Sequence, residues 1–137
     1  ERQYNSPGFR APVGSLMRGR HGMFPEYHTS ADDLRFVSRA RLIESFDVLN
    51  RTIAVVDRNR VLVNTEPFGE PQLGSRGLYA ALGGTTIADA QLAMLWVLNQ
   101  SDGATDLLAI ARRAGLDFDS VVATAAVLER HGLLRVA

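Results

Sequence analysis

The sequence predicts a mixed α/β protein that contains a loop-rich segment, a long helix with a short strand, and a final group of three helices and a strand. Two observations carry this prediction. Turn-forming residues interrupt residues 1–27 at short intervals, which excludes a long helix there. Apolar residues then recur at helical spacing through residues 38–58 and 86–132. With 137 residues, 46% apolar and 22% charged, the chain is long enough to bury a core, and wholesale disorder is excluded.

The first segment, residues 1–27, is read as ordered loop. One stretch, residues 13–17, is compatible with a strand. A loop of this length makes little core of its own, and such loops inside a domain are usually functional or lean on neighbouring structure.

A helix is expected to begin near Ser30. Ser30 and Asp33 have the spacing of a capping box, although Glu is the usual third residue of that motif. In this helix Leu34 and Val37 would face inward.

Ser38 is expected to cap a second, longer helical segment. Its apolar residues recur at intervals of three and four and make it amphipathic: Leu42, Phe46, Leu49, Ile53 and Val56. A short strand is predicted at residues 60–65, and a Gly-rich connector follows at residues 67–84.

The final segment has the periodicity of three helices. The first is predicted at residues 87–99, capped by Thr85 or Thr86, and is broken at residues 101–103. Trp96 lies at a spacing that favours a core position over an interface. The second helix is predicted at residues 105–114, with Gly115 in the position of a C-cap.

The third helix of this segment is predicted at residues 120–131, capped by Asp117 or Asp119. It is followed by Gly132 and a strand at residues 133–136. Two helices, a short Gly-containing turn, a third helix and a strand make the plan of a winged helix-turn-helix.

The charges of this module argue against DNA binding. Residues 85–137 carry four Arg against six acidic residues, and Asp117 and Asp119 stand where the third helix would meet phosphates. Nucleic-acid binders instead show a basic stripe. A structural or protein-contacting role is therefore favoured, and DNA binding stays the alternative.

Composition also limits the chemistry. The chain has no cysteine, so a thiol nucleophile and a thiolate zinc site are excluded, and His and carboxylates remain as metal ligands. No apolar stretch approaches the length of a membrane helix, and no secretory signal segment is present. We expect a cytoplasmic protein without a membrane partner, and a homo-oligomer is compatible with the sequence. Because the chain begins with Glu1, we also expect a fragment.

His28 is the candidate for metal chemistry. A histidine on a loop that enters a helix can ligate zinc, and a nearby carboxylate such as Asp32 can accept its other N–H. A local polar network is the alternative interpretation. The three histidines, at 21, 28 and 131, lack the close spacings of a self-contained site, so the sequence offers one ligand where catalytic zinc uses about three.

Arg76 in the connector has two interpretations. It could hold an acidic group of a substrate or partner, or it could brace the loop between the glycines that flank it. The second is the more common role of an Arg in such a place.

Long motifs give the chain a family resemblance. It resembles the C-terminal portion of a bacterial aminopeptidase-like, co-catalytic zinc peptidase-like family associated with polysaccharide biosynthesis, whose members end in a winged helix. The matching runs are ERQYNSPGF at 1–9, PVGSLMR at 12–18 and PEYHTSAD at 25–32, then GEPQLG at 69–74, RGLY at 76–79 and GG at 83–84.

The resemblance implies roles for individual residues. In such enzymes the Tyr-His-Thr element supplies the last metal ligand, which makes His28 the expected zinc ligand and leaves Asp32 to orient its ring or to cap a helix. Arg2 and Tyr4 would lie near the substrate end of the site. The family's other metal ligands and its general base have no counterpart in this sequence, so the chain alone is expected to be inactive and to bind no stoichiometric zinc. In the complete parent the resemblance implies a zinc-dependent hydrolase that acts on a peptide or amide.

The resulting organisation has three parts. Residues 1–66 are interpreted as the C-terminal segment of a zinc-exopeptidase-like α/β domain, residues 67–84 as the connector and residues 85–137 as the winged helix-turn-helix domain. A winged-helix module that binds DNA or protein without catalysis is the alternative function, and a degenerate, non-catalytic relative is a third.

Overall fold

The computed structural model describes residues 2–9, 11–78 and 87–137, and gives the backbone alone for residues 87 and 88. The chain divides into two units, Glu1–Ile53 and Ala54–Ala137. The helices are α1 (Arg39–Arg58), α2 (Ile87–Gln100), α3 (Leu107–Ala114) and α4 (Phe118–Arg130), and the strands are β1 (Val61–Asn64), β2 (Asp102–Asp106) and β3 (Leu134–Val136). Within the described ranges, no helix is long and apolar enough to cross a membrane.

The loop at residues 11–17 contains no strand, so the strand predicted at 13–17 is wrong. The Asn5 side chain, and not a neighbouring strand, hydrogen-bonds to the backbone of this loop. The Asn5 amide Nδ2 donates to the Val13 carbonyl at 2.9 Å, and the Val13 N–H donates to Ala11 O at 2.8 Å. Because these groups are used locally, the backbone at Val13 has no ladder to join.

The helix predicted to begin at Ser30 is also absent, since residues 29–37 form turns. Asp33 Oδ1 accepts the backbone N–H of Arg35 at 2.8 Å, which is a local turn that competes with a helix. Leu34 is 92% exposed and Val37 is exposed as well, so the prediction that they face inward is wrong.

Helix α1 begins at Arg39, as the predicted cap requires. Ser38 Oγ accepts the backbone N–H of Arg41 at 3.3 Å, which confirms Ser38 as the capping residue. The helix runs for 20 residues, and none of them is buried. Its predicted amphipathic spacing is therefore present, while its apolar side lies open in this structure.

The second unit is built on a three-stranded antiparallel sheet of order β2-β1-β3. The strand predicted at residues 60–65 is confirmed as β1, the central strand, in which Leu62 pairs with Val136 and Asn64 with Leu134. Strand β2 lies where the sequence predicts a break at residues 101–103 and the start of a helix at residue 105, so that helix start is wrong. Its DGATD sequence has low strand propensity. Its register against β1 shifts between Asp102 and Asp106, a stretch that includes Gly103 with a φ of 82°.

The three helices of the second unit follow the prediction closely. Asp117, one of the two candidate caps, accepts the Ser120 N–H at 3.0 Å and is confirmed as the cap of α4. Asp106 caps α3 two residues later than expected, and Gly115 closes that helix in the left-handed conformation with a φ of 68°. The proposed caps of α2, Thr85 and Thr86, lie outside the described residues.

The core of the second unit is formed by α2, α3, α4 and the sheet. Its larger fully buried side chains are Leu62, Met94, Val97, Leu107, Ile110, Val121, Leu128 and Leu133. Leu73 and Leu78 of the segment predicted as a connector belong to the same core and are almost completely buried. This segment therefore contributes to the fold and does more than join two modules.

The division into units differs from the predicted domain limits. The second unit starts at Ala54, whereas the sequence places the winged module at residues 85–137 and β1 in the segment before it. The reason is antiparallel pairing, because β1 hydrogen-bonds to β2 on one edge and to β3 on the other.

Candidate functional site

The loop that carries His28 is held by its neighbours in sequence. The Thr29 N–H donates to Glu26 O at 3.0 Å and the Thr29 hydroxyl donates to the same oxygen at 2.8 Å. Thr29 Oγ1 also accepts the N–H of Ala31 at 3.2 Å. Between these bonds His28 has a φ of 59°, the left-handed region that non-Gly residues adopt at a cost.

An aromatic cluster lies beside His28. The Tyr27 ring is 4.2 Å from the His28 ring and 5.5 Å from the His21 ring, measured between centroids. Phe24 contacts Tyr27 edge-on at 5.6 Å and stacks on Phe36 at 5.7 Å. The His28 side chain is nevertheless exposed, so its imidazole is accessible to a ligand.

Asp32 lies four residues after His28 but is not joined to it. Its backbone N–H donates to Thr29 O at 3.2 Å, and no hydrogen bond within the described ranges links its carboxylate to the His28 ring. The alternative role, a helix cap, is wrong, because the helix begins at Arg39 and Ser38 caps it.

Arg2 and Tyr4, which the resemblance places at the substrate end, lie on an exposed turn. The Tyr4 carbonyl accepts the N–H of Ala11 at 2.9 Å, and the Tyr4 side chain is 61% exposed. No hydrogen bond or ring contact joins either residue to His28 in the part of the chain that the structure describes.

The charges around this loop are paired locally. Two nitrogens of Arg35 donate to the Asp33 carboxylate, and this bonding holds the pKa of Asp33 below its usual value. Arg41 and Arg18 act in the same way on Glu44 and lower its pKa. These carboxylates are therefore ionised at neutral pH and already engaged with arginines.

Metal-ligand groups do not converge among the described residues. No cluster of three or more His, Cys, Asp or Glu side chains occurs within the described ranges. The described residues around His28 therefore do not supply the three or so protein ligands that a catalytic zinc centre takes.

The start of α4 is acidic and its charges are used internally. Asp117 caps the helix, and Asp119 Oδ1 lies 2.6 Å from Arg58 Nη1. The same guanidinium lies over the Phe118 ring, 5.5 Å from its centroid. The residues that would enter a DNA groove are thus a capping carboxylate and an ion pair.

The sheet of the second unit joins strands that are distant in sequence. Strand β3 pairs with β1, which precedes all three helices of the unit. No hairpin therefore joins these two strands.

Of the two arginines at the end of α3, Arg113 donates to Gln100 Oε1.

A pocket of about 620 Å³ lies in the second unit, where β1 ends and β2 begins. Its apolar wall includes Pro67, Pro71, Leu95, Trp96 and Leu98, and Glu70 and Asp102 contribute carboxylates. Trp96 is only partly buried: it packs against the core, as predicted, and it also lines the pocket. The sequence did not indicate this pocket, because it depends on the unpredicted strand β2.

Two polar residues of the pocket wall, Asp102 and Asn64, hydrogen-bond to the backbone. Asp102 accepts the backbone N–H groups of Ala104 and Thr105 at 2.9 and 2.8 Å, which lowers its pKa. Asn64 Nδ2 donates to Leu98 O at 3.0 Å. Arg76, in the segment that follows the pocket wall, pairs with Glu66 at 2.9 Å, the bracing role considered for it.

Two family models cover the chain. A winged helix-turn-helix model matches residues 60–136, and a model described as a domain of unknown function matches residues 1–59. The first match includes β1, in agreement with the sheet.

Two relatives match along nearly the whole chain. A Clostridium acetobutylicum protein, named as a polysaccharide biosynthesis protein with an aminopeptidase-like domain, is 43% identical over 99% of this chain. A crystal structure of a protein described as a peptidase from the same organism is 39% identical, with a TM-score of 0.79. The chain spans 31% and 29% of the lengths of these two proteins. They confirm the family resemblance that the sequence motifs indicate.

Proposed function

Because the chain belongs to the winged helix-turn-helix family through residues 60–136, we propose that it joins such a unit to part of a zinc-dependent aminopeptidase-like hydrolase. Residues 1–59 form the hydrolase part and correspond to the C-terminal end of its catalytic domain. Alone, this chain is inactive.

One observation carries the proposal. His28 is exposed on a loop whose hydrogen bonds hold it in the left-handed conformation. A strained backbone that the surrounding bonds keep in place is more typical of a functional position than of an ordinary loop. Its identity as an imidazole in a Tyr-His-Thr run, in a chain 43% identical to a protein named for an aminopeptidase-like domain, supports a ligand role.

The donor set fits zinc in part. The imidazole of His28 is a ligand type that zinc prefers, and bound zinc supplies Lewis-acid polarisation of a carbonyl and a water of lowered pKa. Among the described residues, His28 does not belong to any group of three or more metal-ligand side chains. The proposal assigns the remaining ligands and the general base to the additional length that the relatives carry.

In the complete protein Arg2 and Tyr4 bind the substrate end of the site. Both side chains are exposed and near the start of the same unit as His28. A guanidinium and a phenol hydroxyl suit the carboxylate and carbonyl groups of a peptide or related amide.

The winged unit serves packing or protein assembly in this proposal. Its helix α4 begins with a capping carboxylate and the Asp119 ion pair, which oppose phosphate contact. The alternative is a DNA-binding module. A salt-dependent shift of a DNA probe at physiological salt would support that alternative, whereas no shift agrees with the proposal.

The test uses a chimera in which this chain replaces the matched third of the Clostridium acetobutylicum relative. Zinc is measured by elemental analysis, and hydrolysis is measured with aminoacyl amides. We expect stoichiometric zinc in the chimera, its loss with His28→Ala and its retention with the matched control His131→Ala. Zinc that is absent from the chimera, or is unaffected by His28→Ala, would contradict the proposal.

A further inference from the structure

Helix α1 carries an uncovered apolar seam. The seam consists of Leu42, Phe46, Leu49, Ile53 and Val56, and each of these side chains is between 45% and 71% exposed. They are spaced by four, three, four and three residues, which places them in one line over about 21 Å of helix. Spacing of this kind is that of a helix packed along another helix.

The charged residues of α1 lie off this line. Arg41, Glu44, Asp47 and Arg51 fall on the other sides of the helix, where Glu44 pairs with both Arg41 and Arg18. Ile43 and Val48 are also exposed and lie off the line, so the seam is the continuous part of the apolar surface of α1 and not all of it. A continuous apolar strip on a helix is typically covered by a packing partner. Five large apolar residues in one row form a patch that water solvates poorly.

The loops of the first unit, which holds every seam residue except Val56, add more exposed apolar surface. Phe9, Leu16, Met17, Met23, Leu34 and Phe36 are all between 47% and 92% exposed. A pairing of two copies limited to α1 would account for the seam and not for these loop residues. An exposed apolar surface of this extent is typical of a permanent interface, which is as apolar as the interior of a domain.

We propose that the α1 seam packs against a helix in the residues that aminopeptidase-like relatives carry beyond the matched part. Those relatives have about two thirds of their length outside the match, since the chain covers 31% and 29% of them. The inference rests on the proposed function in one respect, that residues 1–59 belong to a larger domain. It goes further in naming α1 as the contact and a helix as the occupant.

The test compares the same substitutions in the chain alone and in the chimera described above. In the chain alone, Phe46→Ala and Leu49→Ala change the unfolding midpoint by about 2 °C or less, because those side chains are already exposed. In the chimera each lowers the midpoint by on the order of 5 to 10 °C, since a covered side chain is truncated. Arg51→Ala, off the seam on the same helix, leaves both proteins unchanged.

Several outcomes would overturn the inference. Equal effects of Phe46→Ala in both proteins would do so, as would a chimera that fails to fold with every native residue in place. A stable dimer of the chain alone that Phe46→Ala dissociates would assign the seam to a second copy. A chimera that shows the predicted stability differences but holds no zinc retains the inference and contradicts the proposed function, so the two failures are distinguishable.

Discussion

Arg60 and Glu129, 69 residues apart in sequence, form a two-bonded ion pair, with Nη1 to Oε1 at 3.0 Å and Nη2 to Oε2 at 2.6 Å. Arg60 directly precedes the central strand and Glu129 lies near the end of α4. The pair therefore fixes the last helix of the unit against the beginning of its sheet.

Removing one member of this pair should weaken the second unit. Both side chains are partly buried, so Arg60→Met should lower the free energy of unfolding by about 1 kcal/mol. Urea unfolding followed by circular dichroism measures the change. Arg112→Met, at an exposed arginine of α3, is the control. An equal loss of unfolding free energy in the two variants would contradict a structural role for the pair.

Asp117 and Asp119 stand two residues apart and should differ sharply. Asp117→Ala removes the N-cap of α4 and should cost about 1 kcal/mol of stability. Asp119→Ala removes an exposed ion pair with Arg58 and should lower the free energy of unfolding by only a few tenths of a kcal/mol, roughly. Thermal unfolding of the two variants side by side makes the measurement, and a larger loss at Asp119 would contradict the assignment of the cap.

Gly115 should resist substitution because its φ of 68° ends α3 in the left-handed region. Gly115→Ala should destabilise the protein by about 1 kcal/mol, the cost of a Cβ in that conformation. Gly8→Ala is a suitable control, since a Cβ there meets no atom within 4 Å and no positive φ is recorded. Calorimetric melting temperatures that agree for the two variants would argue against strain at Gly115.

Because His28 has a positive φ, substitutions can separate its effect on stability from its effect on zinc binding. His28→Asn should keep the loop folded, because Asn tolerates positive φ, while His28→Val should cost about 1 kcal/mol more. In the chimera both variants should lose zinc. Urea unfolding of the isolated chain and elemental analysis of the chimera report the two effects independently, and equal stability of Asn and Val would refute the strain.

Stability should fall with acid at Asp102. The N–H groups of Ala104 and Thr105 hold the pKa of this carboxyl below its usual value, so the folded state favours the ionised form. The stabilisation is complete above the unfolded pKa, near pH 4, and is lost as pH falls from there through the folded pKa. Asp102→Asn should flatten this part of a plot of unfolding free energy against pH, and an unchanged slope would contradict the linkage.

Helix caps and periodicity made the second unit predictable from its sequence. Asp117 and Gly115 act through backbone bonds within a few residues of themselves, so the sequence alone identifies Gly115 and narrows the cap of α4 to Asp117 or Asp119. Strand β2 was missed because its register against β1 is irregular between Asp102 and Asp106, and because long-range pairing leaves little local signal in DGATD.

The first unit was less predictable for a different reason. The spacing of Phe46 and Leu49 correctly predicts an amphipathic helix, yet periodicity says nothing about what covers its apolar side. The Asp33 side chain bonds to the backbone two residues on, in a turn that stands where the helix start was predicted. The Asn5 side chain bonds to the backbone of Val13, eight residues on, where the strand was predicted. The left-handed conformation of His28 has no signature in sequence.

The central position of β1 also sets an order of events during synthesis. This strand leaves the ribosome first, but its two partners, β2 and β3, emerge only with residues 102–106 and 134–136. Until then both of its edges offer unpaired backbone groups to any other strand. The unit can close only after nearly all of it has been made, so slow folding and early aggregation are the hazards that this topology carries.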